Sequence, residues 1–117
     1  MTAHLSLTLF GSLQYALDGV ALTAFDSDKT RALLAYLSVE AAQSHRRTAL
    51  IGLFWPESGE AAARRSLSQA LLVIRQAIGD YTAQPPFLRI TRDTIGFDTA
   101  SNHTLDVAVF ERLLAAV

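Results

Sequence analysis

The chain begins with alternating apolar and polar side chains, the pattern of strands that bury one face. Residues 5–9 and 13–17 place an apolar side chain at every second position, on either side of Gly11-Ser12. Asp18-Gly19 then leads into a short apolar run at residues 20–22. An Asp-Gly pair between such runs is a strong signal for a tight hairpin turn. We therefore expect three antiparallel strands at the N-terminus.

Two stretches with helical spacing follow this sheet. Residues 29–42 repeat leucine at helical intervals and come directly after Asp26-Ser27-Asp28, residue types that cap helix starts. Residues 47–55 form a second helical stretch, which Pro56 ends because the residue before a proline is disfavoured in a helix. Ser44-His45, between the two helices, is expected to form a short link with extended character. The aromatic residues expected to pack in or beside the core are Tyr15, Tyr36, Trp55 and Tyr81.

Residues 60–79 show an extended helical pattern with two distinct faces. On a helical wheel the apolar face contains Leu67, Ala70, Leu71, Ile74, Ala77 and Ile78. The opposite face contains Arg65, Gln69 and Gln76, flanked by Ser68, Leu72 and Val73. Arginine pairs with guanine, glutamine pairs with adenine, and an exposed aliphatic side chain contacts the thymine methyl group. The outward face thus has residue types that read DNA bases, but a solvated face of a core helix would have the same composition.

The order of the elements favours the DNA-reading interpretation of this helix. Residues 57–59 form a short turn between the second and third helices, which is a helix-turn-helix arrangement. After a proline-containing loop at residues 81–86, residues 87–91 and 95–98 alternate as strands around a turn. A hairpin directly after a recognition helix is a wing. We therefore predict an α+β winged helix-turn-helix fold with an N-terminal antiparallel sheet, three helices and a C-terminal hairpin.

Charge is unevenly distributed along the chain, although the net charge is only −1. Residues 1–28 and residues 93–117 each carry a net charge of −3, whereas residues 29–92 between them carry +5. A domain of this kind can present a positive face to a polyanion while remaining close to neutral.

Several classes of function lack support in the sequence. Cysteine is absent, and His4, His45 and His103 stand far apart without carboxylates at ligand spacing, so no metal site is expected. The chain has no glycine-rich phosphate loop, nucleophile elbow or paired carboxylates for catalysis, so we expect neither an enzyme nor a bound cofactor. The first residues resemble neither a signal peptide nor a membrane span. A cytoplasmic protein without a membrane partner is expected.

Several stretches of the chain resemble the OmpR-like winged-helix domain in its variant from the Streptomyces antibiotic regulatory protein (SARP) family of transcriptional activators. The stretches that carry the resemblance are LTLFGSLQ with the following DG, KTRALLAYL, LFWPES, ARRSLSQAL and ITRDTIGFD. They cover nearly the whole chain, and LFWPES followed by ARRSLSQAL is the most specific. After a polar stretch at residues 99–104, LDVAVFERLL resembles the first helix of the activation domain that follows in this family. The resemblance implies a winged helix at residues 1–104 and the start of an activation domain at residues 105–117.

The resemblance implies binding to promoter DNA, often at tandem repeats, and recruitment of RNA polymerase. It also implies that an activation domain follows in the same chain. By position, the resemblance implies DNA contacts at the start of helix two (Arg46, Arg47), in the first part of the recognition helix (Arg64, Arg65, Ser68, Gln69) and in the wing (Arg89, Arg92). The outward face of the helical wheel adds Leu72 and Gln76 to the expected DNA-binding residues. Family members commonly carry further basic residues late in the recognition helix, where this chain retains Arg75 but otherwise has apolar and amide side chains.

Two alternatives to DNA binding remain open at this point. The first is a winged helix that binds a protein partner through an outward patch of Leu72 and Val73, which the acidic ends of the chain favour and its basic centre disfavours. The second is a regulatory domain that packs against a sensor domain further along the chain.

Overall fold

The computed structural model describes residues 3–10, 13–23, 25 and 27–115. In chain order, the elements within these residues are β1 (Leu5–Thr8), β2 (Gln14–Leu17), β3 (Val20–Ala21), α1 (Asp28–Val39), β4 (His45–Arg46), α2 (Arg47–Phe54), α3 (Glu60–Ile78), β5 (Leu88–Ile90), β6 (Thr94–Phe97), β7 (His103–Leu105) and α4 (Asp106–Ala115). The strands form two sheets, one in the order β3-β2-β1-β7 and the other in the order β4-β6-β5.

The N-terminal sheet contains the predicted antiparallel strands and one unpredicted strand. Leu5 lies opposite Leu17 in the β1–β2 pair, and β3 pairs with the other edge of β2. Asp18 and Gly19 both have positive φ, 51° and 80°, as the tight Asp-Gly turn requires. The turn predicted at Gly11-Ser12 lies outside the described residues. The unpredicted strand is β7, which pairs in parallel with β1. Its first residues were expected to be a polar connection, because pairing with a distant strand leaves no local signal.

The helices start within one residue of the predicted positions, and α1, α2 and α3 end one to three residues earlier than predicted. The hydroxyl of Ser27 caps α1 by accepting a hydrogen bond from the Thr30 amide at 3.1 Å, while Asp26 lies outside the described residues. α1 ends at Val39, three residues before the predicted end, because Glu40 already leaves helical geometry. α3 ends at Ile78, and Gly79 caps it in the left-handed conformation with φ 68°.

The core lies between the N-terminal sheet, the three central helices and the wing. It contains Leu5, Leu7, Leu33, Leu34, Leu37, Leu50, Leu67, Ile74, Ile78, Phe87 and Ile95, each at most 1% exposed. The wheel of α3 is confirmed for five of its six apolar positions, because only Ala77 among them is half-buried rather than buried. Ala63, one turn before Leu67, is buried in addition.

The aromatic residues divide into packed and exposed ones. Tyr15 is buried, and its hydroxyl donates a hydrogen bond to the Arg31 carbonyl oxygen at 2.6 Å. Burial raises the pKa of this phenol. Trp55 and Tyr36 are half-buried against the core. The packing prediction for Tyr81 is wrong, because this side chain is 55% exposed. It lies beneath the guanidinium of Arg75, whose central carbon is 4.1 Å from the ring centroid.

The helix-turn-helix and the wing are both present. α2 and α3 are joined by a short turn, and β5 and β6 form the predicted hairpin with Leu88 opposite Phe97. β4 pairs with the other edge of β6, so the link before α2 belongs to the wing sheet. The α+β winged helix-turn-helix prediction is confirmed.

α4 lies against the N-terminal sheet as an exposed helix. None of its described residues is buried. The Asp106 carboxylate accepts hydrogen bonds from the amides of Leu9 at 3.0 Å and Phe10 at 2.9 Å. The rings of Phe10 and Phe110 meet edge to face at 5.3 Å between centroids. The predicted domain boundary before residue 105 falls within β7, where Leu105 is buried.

Among the described residues, no helix has the length and apolar character needed to cross a membrane.

Candidate nucleic-acid interface

The start of α2 is a positively polarised helix end. Arg46 occupies the N-cap position in an extended conformation, and no side chain caps the helix. The first turn of α2 contains no acidic residue. The first amides of a helix have no partner within the helix, and they carry the positive end of its dipole. Two arginines, Arg46 and Arg47, therefore add their charge to an end that already attracts anions.

Four arginines, from β4, α2, α3 and the turn of the wing, meet at this helix end. A cleft of about 370 Å³ is lined by Arg46, Arg47, Thr48, Arg64, Arg92, Asp93 and Thr94. A neighbouring recess of about 190 Å³ shares Arg47, Arg64 and Arg92 and adds Ser68 from α3. We call Arg46, Arg47, Arg64 and Arg92 the basic crevice. It joins the start of α2, the first turns of α3 and the turn of the wing.

Arg47 holds the turn of the wing as well as lining the crevice. Its backbone amide donates to the Asp93 carbonyl oxygen at 2.9 Å, and its Nη2 donates to the Thr91 carbonyl oxygen at 3.1 Å. Its Nε is buried and has no hydrogen-bond partner among the described residues. Buried donors in native proteins are nearly always paired, so this N–H is an exception.

The outward face of α3 is exposed along the whole helix. Arg65, Ser68, Gln69, Leu72 and Gln76 are all exposed, as the wheel predicts. Leu72 is 42% exposed. The prediction for Val73 is only partly right, since this side chain is half-buried. The apolar patch proposed for a protein partner is therefore smaller than expected.

Arg65 and Gln69 border a second cleft, on another side of α3 from the basic crevice. This cleft has a volume of about 460 Å³ and is also lined by Ser27, Thr30 and Trp55. The ammonium of Lys29 lies over the Trp55 ring at 5.9 Å from its centroid. The first half of α3 therefore has a cleft on each of two sides, and Arg65 is the basic side chain that lines the second one.

The cations of the predicted site differ in how far other side chains already neutralise them. Arg64 pairs with Glu60 at 2.9 Å, and both side chains are largely exposed. Arg89 pairs with Asp98 at 3.3 Å at the end of the hairpin and does not line the basic crevice. The amide of Ala100 and the Arg89 guanidinium lower the pKa of the Asp98 carboxyl. Arg46, Arg65 and Arg92 form no ion pair within the described part of the chain.

Sequence reasoning missed three residues of this region. Thr48 and Thr94 line the basic crevice beside the arginines and provide hydroxyl donors. Thr48 follows Arg46-Arg47 directly, so its place at the start of a helix was a usable signal, whereas Thr94 enters only through the fold of the hairpin. Asp80 is fully buried and connects α3 to the wing.

The described residues contain no group of three side chains suited to hold a metal ion.

No protein-family model matches the chain, and no curated protein matches it. Among solved structures, the chain is similar to EmbR from Mycobacterium tuberculosis. That structure contains EmbR in complex with a low-affinity phosphopeptide. The two chains are 27% identical and superimpose with a TM-score of 0.75 over 92% of this chain and 28% of the EmbR chain. This chain therefore spans little more than a quarter of EmbR. Together, the architecture and this similarity support a winged-helix domain like that of SARP regulators.

Proposed function

We propose that this chain is the DNA-binding domain of a bacterial transcriptional regulator. α3 lies in the major groove of duplex DNA, and the wing contacts the adjacent backbone or the minor groove. The observation that carries the proposal is the convergence of Arg46, Arg47, Arg64 and Arg92 beside the exposed face of α3.

The basic crevice has the chemistry of a phosphate site. Guanidinium groups match the geometry of phosphate oxygens, and the positive end of a helix dipole favours an anion. Arg46 and Arg92 have no ion pair to give up within the described residues. Arg64 would exchange its exposed ion pair with Glu60 for a phosphate contact, and such a pair contributes about 0.3–0.5 kcal/mol to stability.

The face of α3 beside the crevice supplies groups for reading bases. The major groove is about 12 Å wide and admits a helix, and phosphate contacts at its edge fix the register of that helix. In this arrangement Arg65, Ser68 and Gln69 approach the base edges first, and Leu72 and Gln76 follow along α3. Arg89 contributes a weaker backbone contact, because Asp98 already neutralises part of its charge.

The role of the whole regulator rests on the comparison and on the family resemblance. EmbR is a transcriptional regulator of the SARP family. We infer that the longer protein acts in the cytoplasm as an activator that recruits RNA polymerase at promoters, including those with tandem sites. We also infer that residues 105–117 begin its activation domain.

The decisive experiment is selection of bound sites from random duplexes, followed by a salt titration on the best site. Neutralising about 4–6 phosphates predicts a slope of log affinity against log salt of about −4 to −5. Failure to enrich any sequence together with a flat salt response would overturn the proposal. That result would favour a protein-interaction module centred on Leu72.

A further inference from the structure

Asp80 is a buried carboxylate that follows directly after α3. Its side chain has no exposed surface, and its Oδ2 accepts a hydrogen bond from Nε of Arg75 at 3.0 Å. Its Oδ1 accepts hydrogen bonds from the backbone amides of Phe87 at 2.7 Å and Leu88 at 3.0 Å. One side chain therefore joins the last turn of α3 to the first residues of the wing.

Both oxygens of the Asp80 carboxylate accept hydrogen bonds, and these bonds join α3 to the hairpin directly rather than through the loop between them. A buried carboxylate is stable only when donors surround it, and here a guanidinium and two amides do so. The guanidinium of Arg75 also lies over the exposed ring of Tyr81, which restrains it on a second side. Residues 81–86 form no regular element, so the hydrogen bonds to Asp80 add to the pairing of β4 with β6 in fixing the angle of the hairpin.

The wing is held at its other end by α2. The backbone and side chain of Arg47 bind the carbonyl oxygens of Asp93 and Thr91 in the turn of the hairpin. The base of the hairpin is held by Asp80 and its turn by Arg47. The position of Arg92 relative to α3 depends on both attachments and on the pairing of β4 with β6.

We propose that Asp80 is a positioning residue for DNA binding, which fixes the wing relative to α3 so that Arg92 and the outward face of α3 engage one duplex together. This inference rests on the proposed function. Asp80 cannot contact DNA itself, since it is buried. It acts by pre-organisation, because an interface that is rigid before binding loses less conformational entropy on binding.

The test is a double-mutant cycle between Asp80→Asn and Arg92→Ala on the selected duplex. The asparagine carbonyl oxygen can still accept the hydrogen bonds from the Phe87 and Leu88 amides, whereas its NH₂ group faces the guanidinium of Arg75, where donor meets donor. We expect Arg92→Ala to weaken binding about tenfold in the wild-type background but less than about threefold beside Asp80→Asn, as for coupled residues. The salt slope of Asp80→Asn alone should be flatter by about one, as if the Arg92 phosphate contact were lost.

Two further variants separate positioning from folding. Arg75→Gln breaks the same link from the helix side without removing a hydrogen bond from Phe87 or Leu88, so it should reproduce the loss of coupling even if Asp80→Asn does not fold. Asp98→Asn is the control, because it removes a carboxylate of the same hairpin, and this carboxylate has no bond to α3. Its effect should add to that of Arg92→Ala without coupling.

The outcomes distinguish this inference from the proposed function. If the wild-type domain binds no duplex, the proposed function and the inference both fail. If the wild-type domain binds, and Arg92→Ala costs the same tenfold beside folded Asp80→Asn or Arg75→Gln, only the positioning role is overturned.

Discussion

The guanidinium of Arg64 donates to a single carboxylate oxygen of Glu60, with Nη2 at 2.9 Å and Nε at 3.3 Å. Glu60 lies in the first turn of α3, where its negative charge is favourable for the helix dipole. The same charge lies beside the basic crevice, where it repels phosphate. The negative charge of Glu60 therefore favours folding but opposes DNA binding.

Glu60→Gln should strengthen binding to duplexes of any sequence by about two- to fivefold at low salt, because it releases Arg64 and removes a repulsive charge. It should also lower the free energy of unfolding by about 0.3–1 kcal/mol. Duplex titration and thermal unfolding measure the two effects. Glu57→Gln is the matched control, since Glu57 lies in the preceding turn and has no ion pair within the described residues. Weaker binding by Glu60→Gln would mean that its carboxylate itself contacts a base.

Arg65→Ala and Gln69→Ala should each lose about 1–3 kcal/mol of binding free energy on the selected site and relax the preference for one base pair. Competition between the selected duplex and single-base variants measures this change. Arg112→Ala, on exposed α4, serves as the control for loss of one positive charge. Equal losses on random DNA would show that the two side chains contact only phosphate.

Arg92→Ala and Arg47→Ala should distinguish an arginine that contributes only to DNA binding from one that also stabilises the fold. Arg92 is exposed and unpaired within the described residues, so its loss should weaken binding uniformly across sequences and leave thermal stability unchanged. Arg47 holds the wing turn through its side chain, so Arg47→Ala should also lower the free energy of unfolding by about 0.5–1.5 kcal/mol. Equal melting temperatures for the two variants would contradict the anchoring role of Arg47.

The free energy of unfolding should depend on pH through the carboxyl group of Asp106. Burial opposes ionisation of this carboxyl, but hydrogen bonds from the amides of Phe10, Leu9 and Val107 outweigh it, so its pKa is lowered. A lowered pKa in the folded state means that the ionised form stabilises folding above the unfolded value of about 3.9, and that this contribution is lost as pH falls through the folded pKa. Asp106→Asn should therefore destabilise the protein near pH 7 and have a progressively smaller effect below about pH 4. Urea unfolding across this range measures the difference, and a constant difference would contradict the prediction.

Leu72→Ala and Val73→Ala should differ in their effect on folding. Leu72 is 42% exposed, so its truncation should change the free energy of unfolding by less than about 0.5 kcal/mol. Val73 is half-buried, and its truncation should cost more, about 1 kcal/mol. If Leu72→Ala leaves DNA affinity unchanged but abolishes binding to a partner protein, that result would favour a protein-interaction module over a DNA-binding domain.

Local periodicity and turn chemistry were enough to predict the helices, the three antiparallel strands at the N-terminus and the hairpin of the wing. The wheel of α3 correctly identified Leu67 and Ile74 as buried, because helical spacing alone determines which side chains share a face. Asp18-Gly19 and Gly79 marked their turn and helix end, because few residue types adopt positive φ at low cost. The candidate DNA-binding residues could likewise be named one by one from charge and spacing.

Only the tertiary structure determined which of those residues act together. Arg46 and Arg92 are far apart in the chain and meet because β4 pairs with β6, a contact that leaves no local pattern. The same reason explains why the strand β7 was unpredicted, since it forms by pairing with a distant strand. It also explains why the bonds from Asp80 to Phe87 and Leu88 were unforeseen, because Asp80 reads in sequence only as a turn residue after a helix. Local sequence determined the elements and the face of α3, whereas long-range pairing determined the basic crevice and the placement of the wing beside it.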